Sequence, residues 1–238
     1  MRRFRSLALC VVVAAAAACG PPRRVPVSPT AQSADPTRTL SPHPDYTKIC
    51  TTGLDSSVSC LDAVVAAVDT ARAAQGVKPM ALPSDFGRLP VAQQLLVAIN
   101  LERVDRGLRP FAGLTAALDG NAQRGADMAD DPPDPGRAYR IVESEWAGGA
   151  ANGLDAVYGW MYDDGPGGTN LDCPAKGGGG CWAHRHGLLE DFGPAGTLVM
   201  GAAVDPVGDT TPDDPGGTSM AATLAVTASP GPLISATG

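Results

Sequence analysis

Apolar residues recur at helical spacing through most of this chain and alternate only near its end. Between Cys60 and Ala74, Leu61, Val64, Val65 and Val68 share one face, which predicts an amphipathic helix. Ser59 precedes it as a cap and Gly76 follows it as a stop. The strongest helix is predicted from Pro90 to about Arg106. Val91, Leu95, Leu96, Ala98, Ile99 and Val104 make a broad apolar stripe, with Glu102, Arg103, Asp105 and Arg106 assigned to the outer side. Asn100 is the odd member of that helix, a polar residue at the stripe's edge or a structural hydrogen-bonding one. Thr115 caps a third helix running to about Ala129, whose face of Leu118, Ala122, Ala126 and Ala129 is narrow and small enough for close approach by another element. Leu154, Val157, Tyr158 and Met161 mark a fourth, and 184–190 a short fifth, stopped by Gly193-Pro194. Extended segments are expected at Tyr139–Trp146, Thr197–Val204 and Ser219–Ala228, the last by its alternation. Helices come first, strands late, and strand and helix do not alternate, so the expected class is α+β.

The polar stretches change the domain picture. Met1-Arg2-Arg3-Phe4-Arg5 is basic and Leu7–Ala18 is apolar but too short to cross a bilayer, so 1–18 reads as a secretory signal. Ala16-Ala17-Ala18-Cys19-Gly20 resembles a lipobox, which makes Cys19 a candidate for lipidation and the protein either membrane-anchored or freely secreted. Residues 19–44, rich in Pro, Ser and Thr, read as a disordered tether that includes a solvated His43. Residues 45–89 are then an N-terminal helical extension, and 90–230 the main domain, with the tail after Pro230 frayed. The chain carries 18 basic and 25 acidic residues, a net of −7, and signal cleavage removes Arg2, Arg3 and Arg5 as well. So acidic a chain is a poor partner for nucleic acid.

Six cysteines narrow the compartment. With Cys10 in the signal and Cys19 at the lipid site, Cys50, Cys60, Cys173 and Cys181 remain, and four cysteines allow three connectivities. Local pairing, Cys50–Cys60 and Cys173–Cys181, is the simplest in an oxidising compartment. A zinc site from Cys173, Cys181 and His184 competes with it, but its cysteines lie too far apart in sequence for the usual structural pair.

Candidate chemistry concentrates at Cys181-Trp182-Ala183-His184-Arg185-His186-Gly187-Leu188-Leu189, which holds two of the three histidines. His184 with Glu143, Glu145, Asp163 and Asp164 is a set that can hold an imidazole tautomer or a divalent metal such as zinc. In a helix only one of His184 and His186 faces such a site, and His186 is assigned to solvent. Trp160 and Trp182 are assigned to the core. Asp130–Gly136 reads as a solvated turn, and Gly177–Gly180 as a loop tip without the Lys-Ser/Thr of a phosphate loop. Gly217-Thr218-Ser219-Met220-Ala221 is similar to the nucleophile segment of subtilisin-like proteases, but the segments that would supply that family's His and Asp are absent.

Four segments, taken in order, resemble the CAP superfamily, the cysteine-rich secretory and pathogenesis-related-1 (SCP) type, and in particular its extracytoplasmic members from actinobacteria. They are Asn100-Leu101-Glu102-Arg103 with Gly107-Leu108, Glu143-Ser144-Glu145-Trp146, Trp160-Met161-Tyr162-Asp163, and Ala183-His184-Arg185-His186-Gly187-Leu188-Leu189. The resemblance spans roughly 90–228. It implies an α-β-α sandwich with a small antiparallel sheet between helices. It also implies a cleft of two histidines and two acids, of which Glu145 (or Glu143), Asp163 and His184 match three; residues 126–142 hold no histidine for the fourth. The implied function is a non-enzymatic module, without a resident cofactor, that binds a small lipidic or cell-wall ligand or a partner protein. A metal-dependent hydrolase using the same cleft, with His184 as a ligand, and a structural envelope protein stay open beside it.

Overall fold

The computed structural model describes residues 34–175, 178–208 and 217–235. The signal at 1–18, Cys19, the first part of the tether and Gly177 lie outside the described residues. Helix α1 spans Val58–Ala74, α2 Val91–Val104, α3 Ala116–Met128, α4 Gly153–Tyr162 and α5 Ala183–Leu189. Strands β1 (Val142–Gly148), β2 (Thr197–Asp205) and β3 (Ser219–Thr227) form an antiparallel sheet in the order β1-β3-β2. The class is α+β, with the small antiparallel sheet between helical layers. Every residue of central β3 is buried, because both its edges are paired and both its faces are covered.

Alternation along the strands sorts the two layers. Val199, Ala203, Ala221 and Ala225 face α3, where they meet Leu118, Ala122 and Ala126. The expected close approach occurs here: a Cβ on Gly201 would lie 1.9 Å from the backbone of Leu118, so helix backbone rests directly on the sheet. Leu198, Met200, Met220, Leu224 and Val226 face the other way, into the main core shared with α1, α2, α4 and α5.

Several expectations change. Ser57 rather than Ser59 caps α1, its Oγ accepting from the Cys60 amide at 3.3 Å. That helix is no separate extension, since Val64, Ala67, Val68 and Ala71 belong to the same core as α2 and α4. The charged residues assigned to the outside of α2 are mostly inside: Glu102, Arg103 and Arg106 are buried. Glu102 pairs with Arg106 and, at 3.0 Å, with Arg72 of α1, and it accepts from the Tyr162 hydroxyl at 2.9 Å. Arg72 also pairs with Asp105, which Lys78 reaches at 2.9 Å. A buried charge is tolerable only when paired and hydrogen-bonded, and this network supplies both while joining α1, α2 and the end of α4.

Residues 34–44 are laid on the domain, in contrast to the tether assignment. The Leu40 amide donates to Tyr162 O at 2.8 Å, its carbonyl accepts from the Tyr158 hydroxyl at 2.8 Å, and Thr39 Oγ1 donates to Pro166 O at 3.1 Å. His43 is exposed, as expected. Past Pro230 the chain is also held, Leu114 and Ile234 exchanging backbone hydrogen bonds at 2.9 Å. The local disulfides are present, Cys50–Cys60 and Cys173–Cys181, and they fit an oxidising, extracytoplasmic compartment. No helix among the described residues is long and apolar enough to cross a membrane.

Candidate functional site

Helix α5 carries His184, and its two ends are held by charged side chains from elsewhere. Trp182 precedes it in a left-handed conformation, φ 64°, and offers no side-chain cap. Asp164, just past α4 and buried, does that work: its Oδ2 accepts from the Arg185 amide at 3.2 Å and its Oδ1 meets His184 Nδ1 at 2.7 Å. A carboxylate suits the positive end of a helix. Asn170 fixes Asp164 in turn, donating to its Oδ1 at 2.7 Å, and the Cys173–Cys181 disulfide closes the loop behind it. At the other end Arg103 Nη1 donates to Leu188 O at 2.7 Å and to Glu190 O at 3.0 Å. Its guanidinium lies 4.8 and 5.1 Å from the ring centres of Phe111 and Phe192, and burial pushes its pKa down to about 10. Asn100 is the structural residue, donating from Nδ2 to Phe111 O at 2.9 Å and accepting from the Phe111 amide at 2.7 Å. Arg185, also buried, donates to Met161 O at 2.7 Å and to Ala34 O at 3.0 Å, tying α5 to the end of α4 and to the N-terminal segment.

His184 is 12% exposed at its side chain and sits among carboxylates. Besides Asp164 at Nδ1, Asp131 Oδ1 lies 3.5 Å from Nε2, an ion-pair distance rather than a good hydrogen bond. Burial alone would discharge the ring. Asp131, Asp164 and the nearby Glu145 charge outweigh it and hold the pKa up to about 11. His184 is therefore an imidazolium at neutral pH. Glu145 is 1% exposed and neither of its oxygens has a hydrogen-bond partner. Burial raises its pKa well above the usual range, against the lowering influence of His184. Its Oε1 lies where a Cβ on Gly187 would be, 2.3 Å from it, so the glycine inside α5 is what allows the helix to close over this carboxyl.

Of the acids expected with His184, Glu145 is beside it and Asp163 is not. Asp163 turns toward Thr169 and lines the adjoining cleft, where burial raises its pKa to about 6. Asp164, the other acid of that doublet named with His184, meets the ring instead. Asp131, from the turn read as solvated, lies across the other ring nitrogen. The doublets Asp130-Asp131 and Asp163-Asp164 were the available signal: one member of each, Asp131 and Asp164, meets the imidazole, and all four residues line the cleft. Glu143 packs its Cβ against Gly187 as well. His186 is 60% exposed and pairs with Asp35 at 2.8 Å. Trp160 and Trp182 are buried.

The rival chemistries lose their residues. Cys173 and Cys181 are bonded to each other and are no zinc ligands. Among the described residues, the one group of three or more ligand atoms mutually within 4.8 Å is Cys50, Asp55 and Cys60, whose sulfurs are likewise joined. Ser219 is buried between sheet and α3, donating to Ala126 O at 2.7 Å and accepting from Trp146 Nε1 at 2.8 Å, which removes it as a nucleophile.

The imidazolium forms one wall of a cleft of about 430 Å3 bounded by α4, β1 and the loops after α3 and α4, within the range of small-molecule sites. Tyr46, Trp146, Tyr158 and Trp160 are among the residues that line it, all but Trp146 buried. No family model matches the chain, and no curated protein or solved structure matches it either.

Proposed function

We propose that the protein is a secreted or lipid-anchored binding module of CAP type, non-enzymatic, whose cleft beside His184 takes a small ligand of the cell envelope. The observation that carries this reading is the placing of the cleft's one imidazole between two carboxylates, Asp164 at 2.7 Å from Nδ1 and Asp131 at 3.5 Å from Nε2. A general base needs a nitrogen lone pair near neutral pH, and an imidazolium with a pKa of about 11 has none to offer. The same protonation works against a metal-dependent hydrolase, because a metal must first displace that proton. The order of the four family-like segments supports the CAP assignment, as does the sheet between helices. The two disulfides support an extracytoplasmic site of action.

Blocking the cleft tests the reading. Gly159 lines it, and a Cβ there meets nothing within 4 Å, so Gly159→Phe fills the cavity from the middle of a helix where glycine is unfavourable anyway. Native protein purified from an envelope fraction is expected to carry a small molecule detectable by mass spectrometry after extraction, and the variant to lack it. An empty cleft in both proteins, or turnover of an ester or amide substrate that Gly159→Phe abolishes, would remove the binding-module reading.

A further inference from the structure

We infer that the ligand of this cleft is a short peptide, which lies extended along the outer edge of β1 and adds to the sheet as a further strand. The inference rests on the binding-module reading and names the chemical class of its ligand.

In an antiparallel ladder the main-chain N–H and C=O of successive residues point alternately toward the partner strand and away from it. Two bonds fix the phase along β1. The Gly149 amide donates to Thr218 O at 2.7 Å, and Ile141 O accepts from the Val226 amide at 3.1 Å. Odd-numbered residues therefore pair with β3, in the register Glu145↔Ala222 and Ala147↔Met220, and Trp146 and Gly148 turn their main-chain groups outward. Trp146 O meets the Trp160 indole N–H there at 2.7 Å, so this edge faces α4 across the cleft. The other three outward groups are the N–H of Trp146 and the N–H and C=O of Gly148. Among the described residues none of the three has a hydrogen-bond partner, and both residues line the cleft.

The opposite edge of the sheet shows what such groups pair with. Along β2, Ala112 N–H donates to Leu198 O at 2.8 Å, Thr115 N–H to Met200 O at 2.9 Å, and Met200 N–H to Gly113 O at 3.1 Å. Leu114 in turn pairs with Ile234, so two short extended pieces of the chain are added there one after the other. Open edges carry rows of unpaired donors and acceptors, and folded proteins cover or blunt them. This fold covers β2 with its own chain and leaves β1 open at the cleft.

Gly148 and Gly149 are both exposed. They carry no side chain to hold a second backbone away, and glycine in a strand often marks such an approach. After Gly149, at φ 73°, the chain leaves the ladder, so the open edge is short. Gly148 asks for one residue that presents its own N–H and C=O on the same side, which an extended peptide does at every second position. A hydrocarbon presents neither group. A cavity of about 430 Å3 holds a few residues and not the face of a folded protein.

The test uses the full chain with its disulfides formed and capped tripeptides, N-acetyl-Ala-X-Ala-amide, with X varied over the other amino acids. Ligand-observed NMR identifies the binders expected among them. Saturation with a binder should slow hydrogen exchange of the Gly148 amide at least about tenfold. N-methylation of each peptide residue in turn should weaken binding about tenfold at alternate residues and leave those between nearly unaffected, because an added strand turns every second amide away from the sheet. Gly148→Pro removes an N–H that pairing with β3 does not use, and proline is tolerated at a sheet edge. It should cost binding about tenfold, and Gly159→Phe should abolish it, with melting curves confirming that each variant is folded. If Gly148→Pro does not fold, the methyl scan decides alone. Uniform loss or uniform tolerance across that scan, unchanged exchange at Gly148, or binding indifferent to Gly159→Phe would overturn the inference. Should no tripeptide bind while native protein carries an extractable molecule that Gly159→Phe lacks, the peptide inference falls and the module stands. No tripeptide bound and an empty native cleft would sink both.

Discussion

Replacing His184 by Gln removes one positive charge from among three carboxyl groups, and its cost can be worked in two ways. With Asp164 Oδ1 at 2.7 Å and Asp131 Oδ1 at 3.5 Å from the ring nitrogens, charge centres roughly 4 Å apart interact by about 4 kcal/mol at an effective dielectric of about 20. Linkage gives a second figure. The pKa rises from 6.5 to about 11, and at about 1.4 kcal/mol per pKa unit this is roughly 6 kcal/mol of preference for the folded imidazolium. Both agree in order with the roughly 3–5 kcal/mol lost when one partner of a buried pair is removed. The sign in pH follows from proton counts. Above pH 6.5 the unfolded imidazole releases its proton, while the folded one keeps it to about 11. The folded state therefore holds more protons across that window, and His184's contribution, complete below pH 6.5, is lost as pH rises toward 11. Urea unfolding at pH 7, 8, 9 and 10 should show wild-type stability falling by up to about 1.4 kcal/mol per pH unit, with this component absent from His184→Gln. Glu145, whose pKa burial also raises, contributes a slope of the same sign starting at lower pH, and Glu145→Gln separates the two. Imidazole nitrogen shifts by NMR provide the direct reading. A ring that titrates below pH 8, or a His184→Gln variant within about 1 kcal/mol of wild type and parallel to it in pH, would refute the clamped-imidazolium account.

Glu102→Gln should be among the most destabilising single substitutions, about 3–5 kcal/mol by urea unfolding, because it removes the carboxylate charge that Arg72 and Arg106 share in the core; a loss under 1 kcal/mol would mean that the network contributes little. Gly187→Ala should cost about 1–3 kcal/mol in the same assay although alanine is the better helix former, since the new methyl meets the Glu145 carboxyl. Restoration of wild-type stability by Glu145→Ala in that background would identify the clash as the cause. Replacing Cys173 and Cys181 together by Ser should cost about 2–3 kcal/mol for the short loop released and should also lower the His184 pKa, because that loop fixes Asn170 and so Asp164. An unchanged imidazole titration would uncouple the disulfide from the site.

Elements with a strong apolar period were legible in the sequence to within a residue or two: α2, α3 and β3 stand nearly where the stripes and the alternation put them. Both cysteine pairs followed from proximity in sequence. The outer face of α2 was misread for a specific reason. Glu102, Arg103 and Arg106 are charged, and charge predicts solvent unless counter-charges arrive from elements distant in sequence. Arg72 is thirty positions away, and the carbonyls that Arg103 caps are more than eighty away. Periodicity carries no information about such partners.

The site was legible to the level of the doublet and no further. Asp163 and Asp164 follow the last turn of α4, where successive residues point roughly 100° apart. Which of them meets His184 depends on how that turn unwinds. The structure unwinds it at Asp163, φ −116°, so Asp164 swings under α5 and Asp163 is left on the cleft wall. The same uncertainty applied at Asp130-Asp131, where α3 ends with Ala129 in the left-handed region, φ 52°. In both places the chain leaves a helix and offers two adjacent acids; Asp131 and Asp164 meet the imidazolium, and all four residues line the cavity. The imidazole is thus opposed by acids from two different helix ends, Asp131 after α3 and Asp164 after α4, a convergence that neither segment shows on its own.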